Sequence, residues 1–211
     1  MKQLLFALSV LFACTVHAQD LKTIKLDAPD KTGGKPLMKV FNERKSDRAY
    51  ASQKLKMSDL SNLLWATNGI NRTDGKRTAP TARNVQDVDV YVIMQEGAYL
   101  YDAKAHALTP VASGDHRAAV AGGQDFVKTA PVCIVLVSEL SRFGGNITEQ
   151  TKLMGAVDVG IVCQNLNIAC AGLGLATVPR ATMDKAALKN ILKLTDTQLL
   201  LMNNPVGYPA K

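Results

Sequence analysis

The chain has 211 residues, 25 Lys and Arg against 18 Asp and Glu, and 47% hydrophobic residues. That length suits one domain with a sizeable core and is short for two. The charges of both signs are interspersed, without an arginine-rich helix, a Cys/His finger or an aromatic-basic strand, which argues against a nucleic-acid binder and for a solvated surface with a local anion site. His17, His106 and His116 do not cluster, and no metal-ligand spacing occurs, so no metal centre is expected.

The first residues differ in kind. Met1-Lys2 is a short positive start, residues 4–16 form a nearly unbroken apolar run, and Val16-His17-Ala18 places small side chains at the two positions a signal peptidase reads. A secretory signal over residues 1–18 is expected, with cleavage after Ala18 and a periplasmic product. The alternative is a lipoprotein anchored through Cys14. The run is too short to span a bilayer comfortably, so no stable membrane span is expected. No twin-arginine pair is present, which points to general secretion. Cleavage leaves Cys133, Cys163 and Cys170. An odd number cannot all pair internally, and buried free thiols are the expectation.

Residues 19–35 are polar, with Pro29, Gly33 and Gly34, and read as a leader arm before a domain over residues 36–211. Leu37, Met38, Val40 and Phe41 fit a short helix ending near Arg44. Ser58 is the expected cap of a helix carrying Leu60, Leu63 and Leu64, stopped by Gly69. A polar loop over residues 68–83 follows. Val88, Val90 and Val92 alternate with Asp89 and Tyr91 as in a strand. Glu96-Gly97 turns into a second strand over residues 98–101, and His106-Ala107-Leu108 continues the antiparallel region.

Asp115 is the expected cap of a helix over residues 116–121, and Pro131 opens a buried strand over residues 132–137. After the break at Gly144-Gly145-Asn146, Thr148 starts a long helix through Met154, Val157, Ile161, Leu166 and Ala169. That helix is apolar almost all round and is expected to be central and buried. Gly172 and Gly174 end it. Thr182 or Asp184 caps a helix over residues 186–194, and residues 198–203 form a last strand. The order of elements suggests an α+β fold: a central, mainly antiparallel sheet flanked by helices.

Three segments together resemble the nitroreductase-like superfamily. Arg44-Lys45-Ser46-Asp47-Arg48-Ala49-Tyr50 is similar to the family's entry motif. Pro80-Thr81-Ala82-Arg83-Asn84-Val85-Gln86 resembles its Pro-Ser-Ala-x-Asn-x-Gln, with Thr81 in place of Ser. The third segment runs from Asp158 through Gln164-Asn165-Leu166 to Gly172-Leu173-Gly174, then Val178-Pro179 and Val206-Gly207-Tyr208-Pro209. Between them Tyr101-Asp102, His106-Ala107-Leu108 and Gly114-Asp115 are similar to the branch that includes SagB-type peptide-azoline dehydrogenases. That branch's Lys-Tyr dipeptide is missing here, which argues against azoline oxidation itself.

The resemblance implies a homodimer of nitroreductase-like fold that binds FMN and acts on a small molecule. Arg44 and Ser46 would meet the phosphate, since Arg offers a planar fork and Ser a short donor. Arg48, or Lys45, would supply a cation at the N1/O2 edge of the ring. Pro80, Thr81, Ala82 and Asn84 belong to a loop that reaches the flavin of the other subunit, where the Asn84 amide can bond the ring edge. Pro179, Arg180 and Ala181 match the stretch beside flavin N5, with Ala181-Thr182 standing where relatives often carry Glu-Gly. Relatives often continue past Gly-Tyr-Pro into a basic tail that touches the phosphate; this sequence departs from that pattern, with Lys211 a poor substitute, and looser FMN binding is expected. The implied activity is that of an exported FMN-dependent oxidoreductase passing hydride or electrons through flavin N5. The alternative is a non-catalytic flavin- or small-ligand-binding protein on the same fold. Export leaves the electron donor open, because NAD(P)H is scarce outside the cytoplasm.

Overall fold

The structure, a computed structural model, describes residues 21–210. The expected signal over residues 1–18, the alternative anchor Cys14 and the basic Lys211 lie outside the described residues.

The arm read as a polar leader is docked on the domain. Ile24–Lys25 (β1) pairs antiparallel with Ala107–Ser113 (β4), and Leu26 beside it is buried. The first helix, Leu37–Glu43 (α1), ends at Arg44 as expected. The second, Met57–Asn68 (α2), begins ahead of Ser58, with Lys56 at the cap position and no side-chain cap bond. A distant residue takes over that role: Tyr208 Oη accepts the Lys56 N–H at 3.2 Å and donates to the Asp59 carboxylate at 2.5 Å. Helix ends leave N–H groups without helical acceptors, and here a tertiary contact serves one of them.

Within the described residues seven strands form one sheet in the order β1-β4-β3-β2-β5-β7-β6, every neighbouring pair antiparallel. The remaining strands are Val88–Met94 (β2), Gly97–Asp102 (β3), Val132–Glu139 (β5), Ala176–Thr177 (β6) and Gln198–Gly207 (β7). The α+β reading holds. The last strand runs to Gly207, beyond the expected end at Asn203, because β6 pairs with its final residues. Neither two-residue strand carries a period that a sequence pattern could reveal.

Both faces of the sheet are covered. Val132, Ile134 and Leu136 of β5 pack toward Leu63, Leu64 and Leu166 of α2 and α4, while Cys133, Val135 and Val137 pack toward Val120 and Leu188 of α3 and α5. Here α3 is Arg117–Ala121, α4 is Glu149–Leu173 and α5 is Lys185–Ile191. Two-sided burial explains why Tyr91, expected on the polar side of an alternating strand, is buried with the valines. The cap of α3 falls on His116, not Asp115, although Asp115 Oδ1 still accepts the Arg117 N–H at 3.1 Å. Asp184 caps α5 by accepting the Ala187 N–H at 2.9 Å.

Thr148 starts α4 as expected, in a reciprocal pairing with Thr151, and Gly174 closes it in the left-handed conformation. The expectation that α4 is buried all round does not hold for the single chain. Gly155, Asp158, Val159, Val162, Cys163, Leu166 and Cys170 face the core. The opposite side stays open, with Leu153 54% and Val157 47% exposed. Among the described residues nothing covers that apolar side. Among the described residues Cys133, Cys163 and Cys170 are buried and free, as expected.

Candidate functional site

Residues 44–50 leave α1 and run beside the short edge strand β6. The Asp47 N–H donates to the Thr177 carbonyl at 2.9 Å, Tyr50 bridges to Pro209, and Tyr50 Oη donates to the Asp47 carbonyl at 2.9 Å. This pinning leaves Arg44, Ser46 and Arg48 exposed. Lys45 is set apart from them. Its ammonium lies 3.1 Å from the Asp47 carboxylate and lines a cavity of about 360 Å³ shared with Lys35, Glu43 and Thr177. Among the described residues no carboxylate pairs with Arg44 or Arg48, whereas the nearby Lys35 and Lys39 both pair with Glu43.

Pro179, Arg180 and Ala181 follow β6 and run back along β7, with Arg180 opposite Asn203 near its middle. Arg180 is fixed by a two-way backbone bridge to Asn203, with N–H to O at 2.8 Å and the return bond at 2.7 Å. Its guanidinium is buried and donates to Gln124 Oε1 at 3.0 Å, the Val120 carbonyl at 3.2 Å, Asn203 Oδ1 at 2.7 Å and the Ala121 carbonyl at 2.8 Å. The Arg180 N–H is therefore taken, and the backbone donor expected for this stretch falls to the exposed Ala181. Arg48 is close enough to oppose the Arg180 charge electrostatically, so the first and third segments converge. On the α2 side of the sheet a larger cavity, about 520 Å³, is lined by Leu55, Met94 and Tyr99, with Lys54 and Glu96 paired at its margin.

Residues 80–86 stand elsewhere. They lead into β2, whose first residue Val88 pairs with Ser138 near the far end of β5, where Gln198 begins β7. Residues 44–50 instead sit against Thr177 and Pro209 near the last residue of β7. Ten residues of strand separate those ends, roughly 30 Å. Asn84 and the Arg44 turn are thus not brought together within one chain.

The loop is held in an unusual shape. Arg83, Asn84 and Gln86 have φ of 52°, 55° and 51°, a region that side chains other than glycine seldom adopt. Three anchors compensate. The Ala82 N–H donates to both oxygens of Asp158 on α4, at 3.0 and 2.9 Å. Thr81 Oγ1 accepts the Gln86 N–H at 2.9 Å, and Arg83 donates to the Phe143 carbonyl at 2.6 Å. Pro80, Arg83 and Asn84 remain exposed, and Thr81 and Ala82 half-buried. Thr81 therefore performs the closing bond that its hydroxyl makes possible.

Behind this loop lies a group that the sequence pattern did not single out. Asp87 is fully buried, accepts a bond from Ser138 Oγ at 2.5 Å, and neighbours Asp158. Burial pushes its carboxyl up to about 7; the Ser138 bond pulls down, and the Asp158 carboxylate pushes further up. Asp158 is the titratable group facing it. Because the folded value lies above the ordinary 3.8, the proton is held in the folded state. The stability it lends is full below about pH 4 and is lost as pH rises through about 7. Asp87→Asn should keep an acceptor for Ser138 and offer an amide toward Asp158. Its thermal midpoint should fall less than the parent's between about pH 5 and pH 8, as read by circular dichroism. Equal falls in the two proteins would remove Asp87 as the cause.

Tyr101 and His106, part of the branch-level resemblance, do structural work. Tyr101 Oη lies 2.9 Å from His106 Nδ1, and Ser61 Oγ lies 2.7 Å from His106 Nε2 while donating to the Asp27 carbonyl. This clasp ties the β3–β4 turn and the docked arm to α2. Burial pushes Cys133 up to about 12 and Cys163 up to about 11, far from thiolate formation.

The sheet and its flanking helices define an α+β protein of nitroreductase fold, with a cationic turn beside β6 and a strained loop ahead of β2. The chain belongs to the Nitroreductase family, whose model matches residues 42–208. It is 29% identical over 194 residues to a candidate nitroreductase of Methanocaldococcus jannaschii, covering 88% of this chain and 96% of that protein. It is 24% identical over 188 residues to the FMN reductase (NAD(P)H) of Bacillus subtilis, covering 82% of this chain and 66% of that one. A crystal structure of a candidate nitroreductase from Ralstonia eutropha superposes with a TM-score of 0.83 at 34% identity, covering 90% of each chain. Membership in this family makes the protein an oxidoreductase of the flavin-using kind.

Proposed function

We propose that this chain is an FMN-dependent oxidoreductase acting on a small molecule as a homodimer with two sites, one at each meeting of the copies. The observation that carries it is the exposed pair Arg44 and Arg48, without carboxylate partners among the described residues, with Arg48 in electrostatic reach of Arg180. The acids of this turn, Glu43 and Asp47, are taken by lysines, which leaves the two arginines free for an anionic ligand, and a flavin phosphate together with a ring that becomes anionic on reduction matches two such cations. In this reading Arg44 and Ser46 hold the phosphate, Arg48 faces the N1/O2 edge, and the Ala181 N–H is offered to N5. When bound, FMN supplies hydride transfer at N5; the protein orients it and fixes charge around it. Lys45, already paired with Asp47, is left to shape the turn.

The second copy is needed because Asn84 lies at the opposite end of the sheet from Arg44. The open side of α4 offers the surface. Leu153, Ala156, Val157 and Gly160 form a stripe at helical spacing, and a Cβ at Gly160 would meet nothing within 4 Å, which leaves room for close approach. Leu37, Met38 and Phe41 of α1 add exposed apolar area. Light scattering at concentrations where FMN is bound should give twice the protomer mass. Monomer alone under those conditions would sink the two-copy site.

Export is part of the proposal, motivated by the charged start, the apolar run and Val16-His17-Ala18. Protein isolated from its native host should begin near Gln19 on N-terminal sequencing. A mature chain still starting at Met1 would defeat it, and a lipid-modified Cys14 would replace it with an anchored form.

A further inference from the structure

Arg180 is an arginine whose hydrogen bonds are satisfied and whose charge is not. All four of its acceptors, Gln124 Oε1, Asn203 Oδ1 and the carbonyls of Val120 and Ala121, are neutral groups. Phe126 lies under the guanidinium at 5.5 Å, again without charge. Among the described residues no carboxylate forms an ion pair with it, although ten such pairs occur elsewhere. The two acidic groups nearest its field stay neutral, since burial holds the Tyr50 hydroxyl above its ordinary value and pushes the Cys133 thiol up to about 12. The other charge in reach is Arg48, which is also positive.

A buried cation normally requires a countercharge, and one kept without it projects its field into whatever binds alongside. Arg180 stands between Pro179 and Ala181 in the chain, and its two-way backbone bridge to Asn203 fixes that stretch on β7. We infer that Arg180 is a positioning residue for charge rather than for contact: its uncompensated guanidinium, reinforced by Arg48, raises the electron affinity of the redox group bound along residues 179–181. The inference rests on the proposed FMN site and adds to it what sets the flavin's potential. FMN takes up two electrons and one proton to give a reduced ring bearing one negative charge, and a fixed cation beside the ring favours that product over the oxidised, neutral ring. The protein would thereby suit a flavin that is readily reduced by a weak donor.

Gln124 supplies the cleanest test. It is exposed, and its Oε1 accepts from Arg180 Nε. Gln124→Glu preserves that acceptor and adds the missing countercharge, so it needs no rebuilding of the core. The parent, Gln124→Glu, Arg180→Met and Arg180→Lys are loaded with FMN and reduced stepwise with dithionite beside a reference dye. Gln124→Glu and Arg180→Met should each lower the ratio of affinities for reduced over oxidised FMN at least tenfold, a downward shift of about 30 mV for a two-electron couple. Arg180→Lys should retain most of the parent's potential, and oxidised FMN should bind all variants that fold to within a few fold. Should Arg180→Met fail to fold, Gln124→Glu decides alone. A Gln124→Glu protein that binds FMN at the parent's potential overturns the inference, as does an Arg180→Lys potential as low as that of Arg180→Met. If the parent binds no FMN, the reading beneath it falls instead.

Discussion

Arg44→Ala should weaken FMN binding far more than Asn84→Ala. Arg44 is exposed, has no carboxylate partner among the described residues, and sits at the turn where α1 gives way to residues 44–50. A guanidinium meeting a doubly charged phosphate makes charge-assisted bonds worth about 1.5–3 kcal/mol each, so losing even one corresponds to a roughly 10- to 150-fold weaker complex. In the proposed site Asn84 would make neutral bonds to the ring edge, worth roughly 0.5–1.5 kcal/mol each. Arg44→Ala should also erase most of the preference for FMN over riboflavin, which lacks the phosphate. Arg48→Ala should behave differently: oxidised FMN should bind nearly as well, and the reduction potential should fall. Fluorescence titrations with both flavins, followed by potentiometry, measure all of this. If Arg44→Ala binds like the parent while Arg48→Ala loses FMN, the phosphate and ring ends are reversed.

Val157→Glu should split the proposed dimer and, with it, weaken FMN binding, although Val157 lies in none of the three flavin segments. The side chain is 47% exposed on the open side of α4, flanked by Leu153, Ala156 and Gly160. Two copies meeting along this stripe would bury two new carboxylates face to face. An unpaired buried charge costs several kcal/mol at the least, enough to shift a dimer to monomer at micromolar concentration. In one chain the substitution is a solvent-facing change on a helix surface, so the monomer should keep its circular dichroism and most of its thermal midpoint. Light scattering and an FMN titration on the same sample read both consequences. A monomer that still binds FMN as the parent does would show that one chain builds the whole site.

The features that local chemistry specifies were the ones legible beforehand. Thr148 and Gly174 bracket α4 as a cap and a left-handed stop specify, and Glu96-Gly97 makes the hairpin that its composition implies. Asp184 caps α5. What escaped depended on contacts between distant segments. The start of α2 is set by Tyr208 near the other end of the chain, which no cap rule could reveal. Asp87 looks like any polar residue ahead of a strand; its character comes from Ser138 and Asp158, brought to it by the β2–β5 pairing and by α4 packing. The exposed side of α4 was misread for a related reason. Apolarity all round a helix does not say which side packs on its own chain, and among the described residues one side of α4 stays open.

The candidate site divides in the same way. The three motifs could be marked out as segments, but whether they meet is a matter of topology. Arg48 and Arg180 converge because β6 and the end of β7 bring their segments side by side, whereas residues 80–86 are carried to the far end of the sheet. Arg180 was expected as part of a flavin-lining stretch through its backbone. Its N–H proves to be committed to Asn203, and its buried, unneutralised guanidinium is the feature of interest. No pattern in the sequence announces an arginine without an acid, because the absence is spatial.

The central claim is that two copies of this chain bind and cycle FMN. The most direct measurement is the visible absorption spectrum of purified protein mixed with FMN, freed of excess flavin by gel filtration, then treated anaerobically with dithionite and finally with a quinone. The account predicts a yellow dimer retaining one FMN per protomer, whose flavin band bleaches with dithionite and returns with the quinone. Colourless protein eluting apart from all of the FMN would contradict it.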